Sequence, residues 1–491
     1  MQRRGRTEGH HGMGPGYGSR RTPRAVLISA LLACLLAAVD AAPAPVSAPS
    51  GGAGLRTNED ISRTLALGPH AGECDRCHSM HSGGSIPAPY ALVGPDDNSL
   101  CEGCHSEAWS HGSYGGPLTY FMSAHGSNPA MVWPGPSPPA RTEPNARNKC
   151  VNCHDPHGRT DAAGLIPSLL YVREEGTCLT CHDGTPAQTN VRTQTMKAFR
   201  HPTTDYTGRH SGPMESQPTD FGTTPFNRRH AECEDCHNAH VARSDQSFTD
   251  PDRPSNTLLG TSRVVPLYGL AGAAPAYQFV TGEDTLTGPP SEAQVCFKCH
   301  SSWTSQPSGQ TDLPRVLNPS NPSFHPVEDM GRNTLIQAAA FTPGWSTMSR
   351  TGCGDCHGDD FNNSAGPHGS NYRYILRRPY TASSAIRTMT SGELCFSCHA
   401  YDVYANPSSS DAVRAASRFN KPGVDKGHAE HVGDKRVPCY TCHVTHGSTT
   451  QKHLIATGRF PGLNAYTEAP AGGSCTPSCH GLETYAVNYA R

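Results

Sequence analysis

Apolar positions are unevenly distributed along this chain. One long apolar run lies near the N-terminus, from Ala25 to Val39, and Arg20, Arg21 and Arg24 precede it. Further along, apolar residues recur only as short patches between glycines and prolines, and segments such as Pro134–Pro139 exclude helix interiors. No later stretch approaches the length that crosses a membrane. The pattern predicts short helices, few strands and much coil, with no transmembrane segment in the mature chain.

The N-terminal run is typical of a secretory signal. It is short for a membrane span, and Ala41 closes a sequence suited to signal peptidase. We therefore expect residues 1–41 to be removed and the protein to be periplasmic, extracellular or on the cell surface. The segment Leu31-Leu32-Ala33-Cys34 also resembles a lipoprotein box, although the apolar run continues past Cys34. Lipidation of Cys34 stays open.

Cysteine spacing carries the strongest chemical signal. Twenty of the 21 cysteines form ten pairs; nine read Cys-x-x-Cys-His, and the last reads Cys-x-x-x-Cys-His. The paired cysteines are Cys74 and Cys77, Cys101 and Cys104, Cys150 and Cys153, Cys178 and Cys181, Cys233 and Cys236, Cys296 and Cys299, Cys353 and Cys356, Cys395 and Cys398, Cys439 and Cys442, and Cys475 and Cys479. The histidines that follow are His78, His105, His154, His182, His237, His300, His357, His399, His443 and His480.

This arrangement predicts covalent haem. Two thiols one short turn apart can each add to one vinyl group of a haem, and the adjacent histidine then reaches the iron. Zinc sites or disulfides would not need a histidine directly after every second cysteine. The sequence therefore predicts ten covalently bound haem c groups, with the ten adjacent histidines as proximal iron ligands.

Composition agrees with a chain wrapped around large apolar cofactors. Apolar residues make up only 35%, beside 50 Gly and 43 Pro, which would normally build too small a core. Ten porphyrins supply the missing apolar surface. Residues 1–41 hold six basic and two acidic residues, so the mature chain is acidic. No basic patch with interleaved aromatic residues appears, and we expect no nucleic-acid partner.

The ten motifs form an internal repeat. They fall into five pairs that begin at Cys74, Cys150, Cys233, Cys353 and Cys439, in steps of 76, 83, 120 and 86 residues. A short patch with Leu, Ile or Tyr follows each first motif, and the second motif comes next. We divide the chain after the signal into an N-terminal segment, 42–69, and five haem-pair repeats, 70–130, 131–205, 206–325, 326–420 and 421–491.

The doubled motif resembles the doubled CXXCH family of multihaem c-type cytochromes over nearly all of residues 70–482. The resemblance implies a coil-rich fold with short helices and few strands around a stacked chain of ten haems. It also implies histidine on both sides of each iron. Of the 27 histidines, ten are proximal and two lie in the N-terminal tail, so the other fifteen exceed the ten distal ligands required.

Two sets of histidines are candidates for these distal ligands. The first set trails a first motif: His81, His157, His240 and His446 in Cys-His-x-x-His, and His368 after an inserted Gly-Asp-Asp-Phe loop. We expect each to ligate the second haem of its own pair, so that His157 reaches the haem on Cys178 and Cys181. The second set lies upstream of a first motif: His70, His125, His201 or His230, His325, and His428 or His431. His70 could also ligate across a subunit boundary.

Two ligands for every iron favour electron transfer over catalysis, and no catalytic residue is assigned. The alternative is a multihaem reductase acting on nitrite, hydroxylamine or a sulfur compound, which keeps one iron open, often through Cys-x-x-Cys-Lys. This chain lacks that motif. It also resembles the polymerising extracellular cytochromes of metal-reducing bacteria, which implies self-association into a filament, with redox proteins or extracellular electron acceptors as partners. A periplasmic conduit would share these features.

Overall fold

The structure is a computed structural model. It describes His70 and residues 74–486, outside the segments 80–91, 95–97, 106–119, 121, 128–149, 163, 174, 204–230, 246–253, 286–287, 305, 307–308, 334–335, 362–365, 420–422 and 424. The predicted signal, Cys34, His81 and His230 lie outside the described residues. The chain divides into two units, 1–56 and 57–491, and every described residue belongs to the second.

Helices in the described part are single turns. The α-helices have four or five residues each: Cys74–Cys77, Ser99–Glu102, Ala124–Ser127, Glu175–Leu179, Val191–Gln194, Cys233–Cys236, Glu292–Cys296, Leu313–Leu317, Cys353–Cys356, Tyr401–Tyr404 and Asp411–Arg414. The 3-10 turns are Cys150–Asn152, Pro167–Leu169, Asn256–Leu258, Glu283–Thr285, Ala338–Ala340, Arg373–Ile375, Leu394–Ser397, Ala415–Ser417, Cys439–Thr441 and Lys452–Leu454, and Glu430–Asp434 is a π-turn.

Most motifs lie on or directly beside one of these turns. In the fifth motif the backbone N–H of His237 donates to the carbonyl of Cys233 at 2.9 Å, and in the seventh His357 donates to Cys353 at 2.8 Å. This bond closes one turn, so the two thiols and the histidine project from a single compact segment. The spacing of the motif therefore determines the local geometry.

The strands are short and pair antiparallel. They are β1 Thr160–Asp161, β2 Gly164–Leu165, β3 Phe199–Arg200, β4 Arg263–Leu267, β5 Ala276–Val280, β6 Ser323–Phe324, β7 Gly369–Ser370, β8 Gly447–Ser448, β9 Leu463–Ala469, β10 Gly472–Pro477 and β11 Glu483–Ala486. They form sheets β1-β2, β3-β7, β4-β5, β6-β8 and β11-β10-β9. The expectation of a coil-rich fold with short helices and few short strands is confirmed.

Two of the small sheets connect parts of the chain that are far apart in sequence. Phe199 of β3 pairs with Ser370 of β7, and Phe324 of β6 pairs with Gly447 of β8. Strands β3 and β6 end just before His201 and His325, whereas β7 and β8 begin directly after His368 and His446. The β3-β7 sheet therefore holds the segment of His201 beside that of His368, and the β6-β8 sheet holds the segment of His325 beside that of His446.

The tenth motif departs from the expected helical turn. Cys475 lies in β10, the central strand of the C-terminal sheet, and the pairing with β9 shifts register between Thr476 and Pro477. The extra residue between the thiols is incompatible with the one-turn spacing of the other nine motifs. An extended strand carries this motif instead.

Apolar packing is concentrated in repeats three to five. The largest buried cluster contains Val264, Ala293, Phe297, Trp303, Leu317 and Val327, beneath the β4-β5 hairpin. This hairpin accounts for part of the long step between the third and fourth pairs. Two smaller clusters centre on Phe396 and Val403. Across the described segments, no helix is long and apolar enough to span a membrane.

Candidate haem sites

A continuous cavity follows the motifs through the molecule. It has a volume of about 2800 Å³, and its lining is mostly apolar. Cysteines and histidines of motifs four to ten, from Cys178 to His480, line it. A mostly apolar groove with thiols and imidazoles along its walls matches the chemical surface of haem, which has an apolar ring, two vinyl groups and an iron.

The described cysteines do not form a zinc site. Among the described residues, no group of three or more His, Cys, Asp or Glu side chains could hold a metal ion. Burial raises the pKa of Cys236, Cys299 and Cys356 to about 12. Their side chains nevertheless remain accessible from the cavity. None of the twenty described cysteines forms a disulfide. An uncharged thioether to a cofactor in the groove fits these sites.

Histidine rings meet in pairs along the series of motifs. Nine proximal histidines face a second ring at centroid distances of 5.8–6.5 Å. The pairs are His78–His157, His105–His70, His154–His240, His182–His125, His237–His368, His300–His201, His357–His446, His443–His428 and His480–His431. Two metal–nitrogen bonds of about 2 Å, with about 1 Å more from each nitrogen to its ring centre, require about 6 Å. The paired rings therefore fit one iron between them.

His399, the proximal histidine of the eighth motif, has His325 as its strongest electrostatic neighbour. Burial first, and then His325, lower the pKa of His399 to about 4. Aromatic rings of Phe341 and Tyr404 pack against His399 at centroid distances of 5.8 and 5.4 Å. His325 and His399 thus form the tenth candidate pair.

Ring orientation divides the pairs into two classes. The five pairs that contain a first-motif histidine have interplanar angles of 9–29°. Four pairs that contain a second-motif histidine have angles of 40–79°. Nearly parallel and strongly tilted ring pairs consequently alternate along the chain of motifs.

Burial favours the neutral form of several of the paired imidazoles, and the neutral form is the one that binds a metal. Desolvation is the main cause that lowers the pKa of His240 and His300 to about 4 and that of His368 to about 3. In each case the facing histidine lowers it further. Neutral rings leave one nitrogen lone pair for an iron.

Backbone carbonyls orient the first-motif histidines. The Nδ1–H of His154 donates to Ser168 at 2.8 Å, and the Nδ1–H of His357 donates to Tyr374 at 2.7 Å. Both acceptor residues lie in the left-handed region, with φ of 55° and 64°. The same device recurs at His443, whose acceptor is a third left-handed residue. Each bond fixes the ring and leaves Nε2 for the iron. Sequence reasoning identified the patches after the first motifs but missed this role.

The upstream histidines are held by the following repeat. The Nδ1–H of His125 donates to the carbonyl of Ala239 at 2.9 Å, and that of His201 donates to Pro367 at 2.8 Å. His70 bonds to Pro156 and His325 to Thr445 in the same way. In all four cases the acceptor directly precedes a trailing histidine, namely His157, His240, His368 or His446. The segment that carries the acceptor and the trailing histidine therefore positions two candidate distal ligands together.

The trailing histidines do not face the partners that the sequence predicted. His157 lies against His78 of the preceding pair, at 5.8 Å, and not against His182 of its own pair. The prediction is wrong because the bond from His70 to Pro156 draws this segment back toward the first repeat. His240, His368 and His446 likewise face the first motif of the preceding repeat. The upstream histidines face the second motif of the motif pair that follows them in the chain, as His70 faces His105, His125 faces His182 and His201 faces His300.

The last repeat uses both of the candidates that stood as alternatives. His431 faces His480, and His428 faces His443. Of the two alternatives upstream of the third motif pair, His201 faces His300, and His230 lies outside the described residues.

His70 faces His105 of the same chain, so the idea that it ligates across a subunit boundary is not supported.

Cysteines of successive motifs lie beside each other. Cys150 is a neighbour of Cys101, where the second motif meets the third. Corresponding neighbours are Cys233 and Cys178, Cys296 and Cys353, and Cys439 and Cys395. Within pairs, Cys77 and Cys153 are electrostatic neighbours of the second-motif cysteines. Motifs adjacent in sequence are therefore adjacent in space.

The family described as "Doubled CXXCH motif" matches residues 143–187 and 347–403. This chain carries the doubled CXXCH motif of multihaem c-type cytochromes. The matched segments contain motifs three and four and motifs seven and eight of this chain. No curated protein and no solved structure matches the chain. Covalent haem c follows for the matched pairs, and the total of ten stays a prediction from the motifs.

Substitution of one trailing histidine tests the cross-repeat pairing in this cytochrome. His446→Ala should leave every haem attached, because thioether formation needs only the motif. It should convert one haem to high spin, namely the haem of Cys353 and Cys356, because His357 loses its facing ring. Electron paramagnetic resonance and carbon monoxide binding measure the open iron.

His453→Ala is the matched control. His453 lies in the same repeat but bonds to Glu468 at 3.1 Å and faces no proximal histidine among the described ring pairs. This variant should stay low-spin. A His446→Ala protein that stays wholly low-spin would show that His446 is not a ligand.

Proposed function

We propose that this chain is an exported decahaem cytochrome that transfers electrons over a long distance along ten bis-histidine haems. The observation that carries the proposal is the facing of proximal histidines by second rings at 5.8–6.5 Å. When bound, haem supplies an iron that changes oxidation state by one electron. The histidine pairs hold that iron on both faces.

The linear order of the motifs supports transfer along the whole chain. Cys101 and Cys150 are neighbours, as are Cys296 and Cys353, so the attachment points of successive haems lie close together. Because electron tunnelling falls steeply with distance, adjacent attachment points favour stepwise transfer. A chain with every iron held on two faces is also suited to transfer rather than substrate binding, because neither face needs to open.

The depth of the motifs supports entry and exit at the two ends. Cys74 in the first motif is exposed. Cys479 and His480 are exposed. Terminal haems near the surface would let another redox protein, an extracellular acceptor or a second copy approach closely. Self-association into a filament is the arrangement that we propose.

The magnetic signature of the oxidised protein tests the electron-transfer assignment. All irons should be low-spin, and reduced protein should bind little carbon monoxide. Haems between the five ring pairs with interplanar angles of 9–29° should give rhombic electron paramagnetic resonance signals. Haems between the pairs with interplanar angles of 40–79° should give signals with a large maximum g value. The reason is that parallel imidazole planes split the iron orbitals more than crossed planes do. One stoichiometric high-spin iron in the native protein would favour the reductase instead.

Assembly is tested on full-length material secreted by the native organism. Electron microscopy should show filaments with this chain as the repeating subunit, joined end to end at the first and last motifs. Because His70 is paired within the chain, the contacts between copies should not depend on it, and His70→Ala filaments should still form. A protein that stays monomeric at high concentration would contradict the filament.

A further inference from the structure

One buried lysine connects two neighbouring motifs in the middle of the chain. Lys298 lies between the cysteines of the sixth motif, is only 3% exposed, and lines the cavity. Its ammonium donates to the carbonyl of Asp235 at 2.5 Å and to the hydroxyl of Ser262 at 3.1 Å. Asp235 belongs to the fifth motif and directly precedes Cys236. A cation supplied by motif six therefore lies inside motif five.

Both groups that accept from this ammonium are uncharged. The carboxylate of Asp235 is directed elsewhere and accepts the backbone N–H of Glu232 at 2.7 Å. An ammonium in such surroundings is weakly screened, so its field acts on whatever lies beside it in the cavity.

The surroundings differ at the next motif. The carboxyl of Glu292 accepts the backbone N–H of Gly354 at 3.0 Å, close to Asp355 of the seventh motif. The ammonium of Lys298 therefore lies within motif five, whereas a carboxyl group contacts motif seven.

We propose that Lys298 raises the reduction potential of the haem on Cys233 and Cys236 and makes it the preferred electron site in the middle of the chain. Reduction adds one negative charge to a haem, and a fixed cation beside the thioether stabilises that charge. This inference rests on the proposed function, because it concerns a haem within the electron-transfer chain.

The test uses a variant in which the fifth haem alone gives a high-spin signal. In a His368→Ala background the ring facing His237 is lost, so the high-spin signal reports that haem alone. Lys298→Met removes the charge and keeps an unbranched apolar side chain, which a buried site tolerates. In a redox titration followed by electron paramagnetic resonance, the electron affinity of this haem should fall about tenfold, or about 59 mV.

Two controls separate the local field from a general loss of charge. Lys298→Arg retains the cation and should restore most of the affinity. Arg76 occupies the same position in the first motif but is exposed, and Arg76→Met in the same background should leave the fifth haem unchanged. The proposal would be overturned if Lys298→Met left the midpoint potential of the fifth haem equal to that of the His368→Ala protein. It would also be overturned if Arg76→Met shifted that potential by the same amount.

The His368→Ala variant separates the test of the ligand pairing from the test of the role of Lys298. A His368→Ala protein without any high-spin iron would mean that the ligand pairing is wrong. Lys298→Met is then titrated in the native full chain, where one step should still move to lower potential. A curve that superimposes on the native one would reject the role of Lys298 independently.

Discussion

Iron with a histidine on each face imposes one constraint on this chain: the two rings must come from different places. The motif supplies the first ring, and the same segment cannot reach around a porphyrin to supply the second. The structure takes the second ring from the neighbouring repeat, as with His240 opposite His154 at 6.0 Å. Repeats two to five therefore each supply a ring to the first motif of the repeat before, whereas the fifth repeat also holds both of its own pairs, His443–His428 and His480–His431.

This interlocking explains how a chain with so few apolar residues holds a defined form. Sheets of two residues per strand, such as β3-β7, would be marginal alone. Here they hold segments that also carry the bond from His201 to Pro367 at 2.8 Å and the distal histidines. The described apolar clusters are small, and the mostly apolar cavity beside them leaves the porphyrins to complete the core.

Local chemistry could be predicted from the sequence, whereas long-range pairing could not. Thioether attachment depends on residues within one turn, so the spacing from Cys353 to His357 was sufficient. The distal histidines were identified as a set, but the partner of His157 was assigned wrongly, because it depends on a bond between His70 and Pro156. The strand at Cys475 was also not foreseen, since the effect of one extra residue depends on pairing with β9.

The central claim is that ten irons lie in one line, each between the two rings that this structure brings together. Anomalous scattering at the iron edge from crystals of the haem-loaded protein measures those positions directly. The account predicts ten iron peaks in the order of the motifs, with the seventh between His357 and His446. Fewer peaks, or an iron whose second ligand comes from its own pair's trailing histidine, would contradict it.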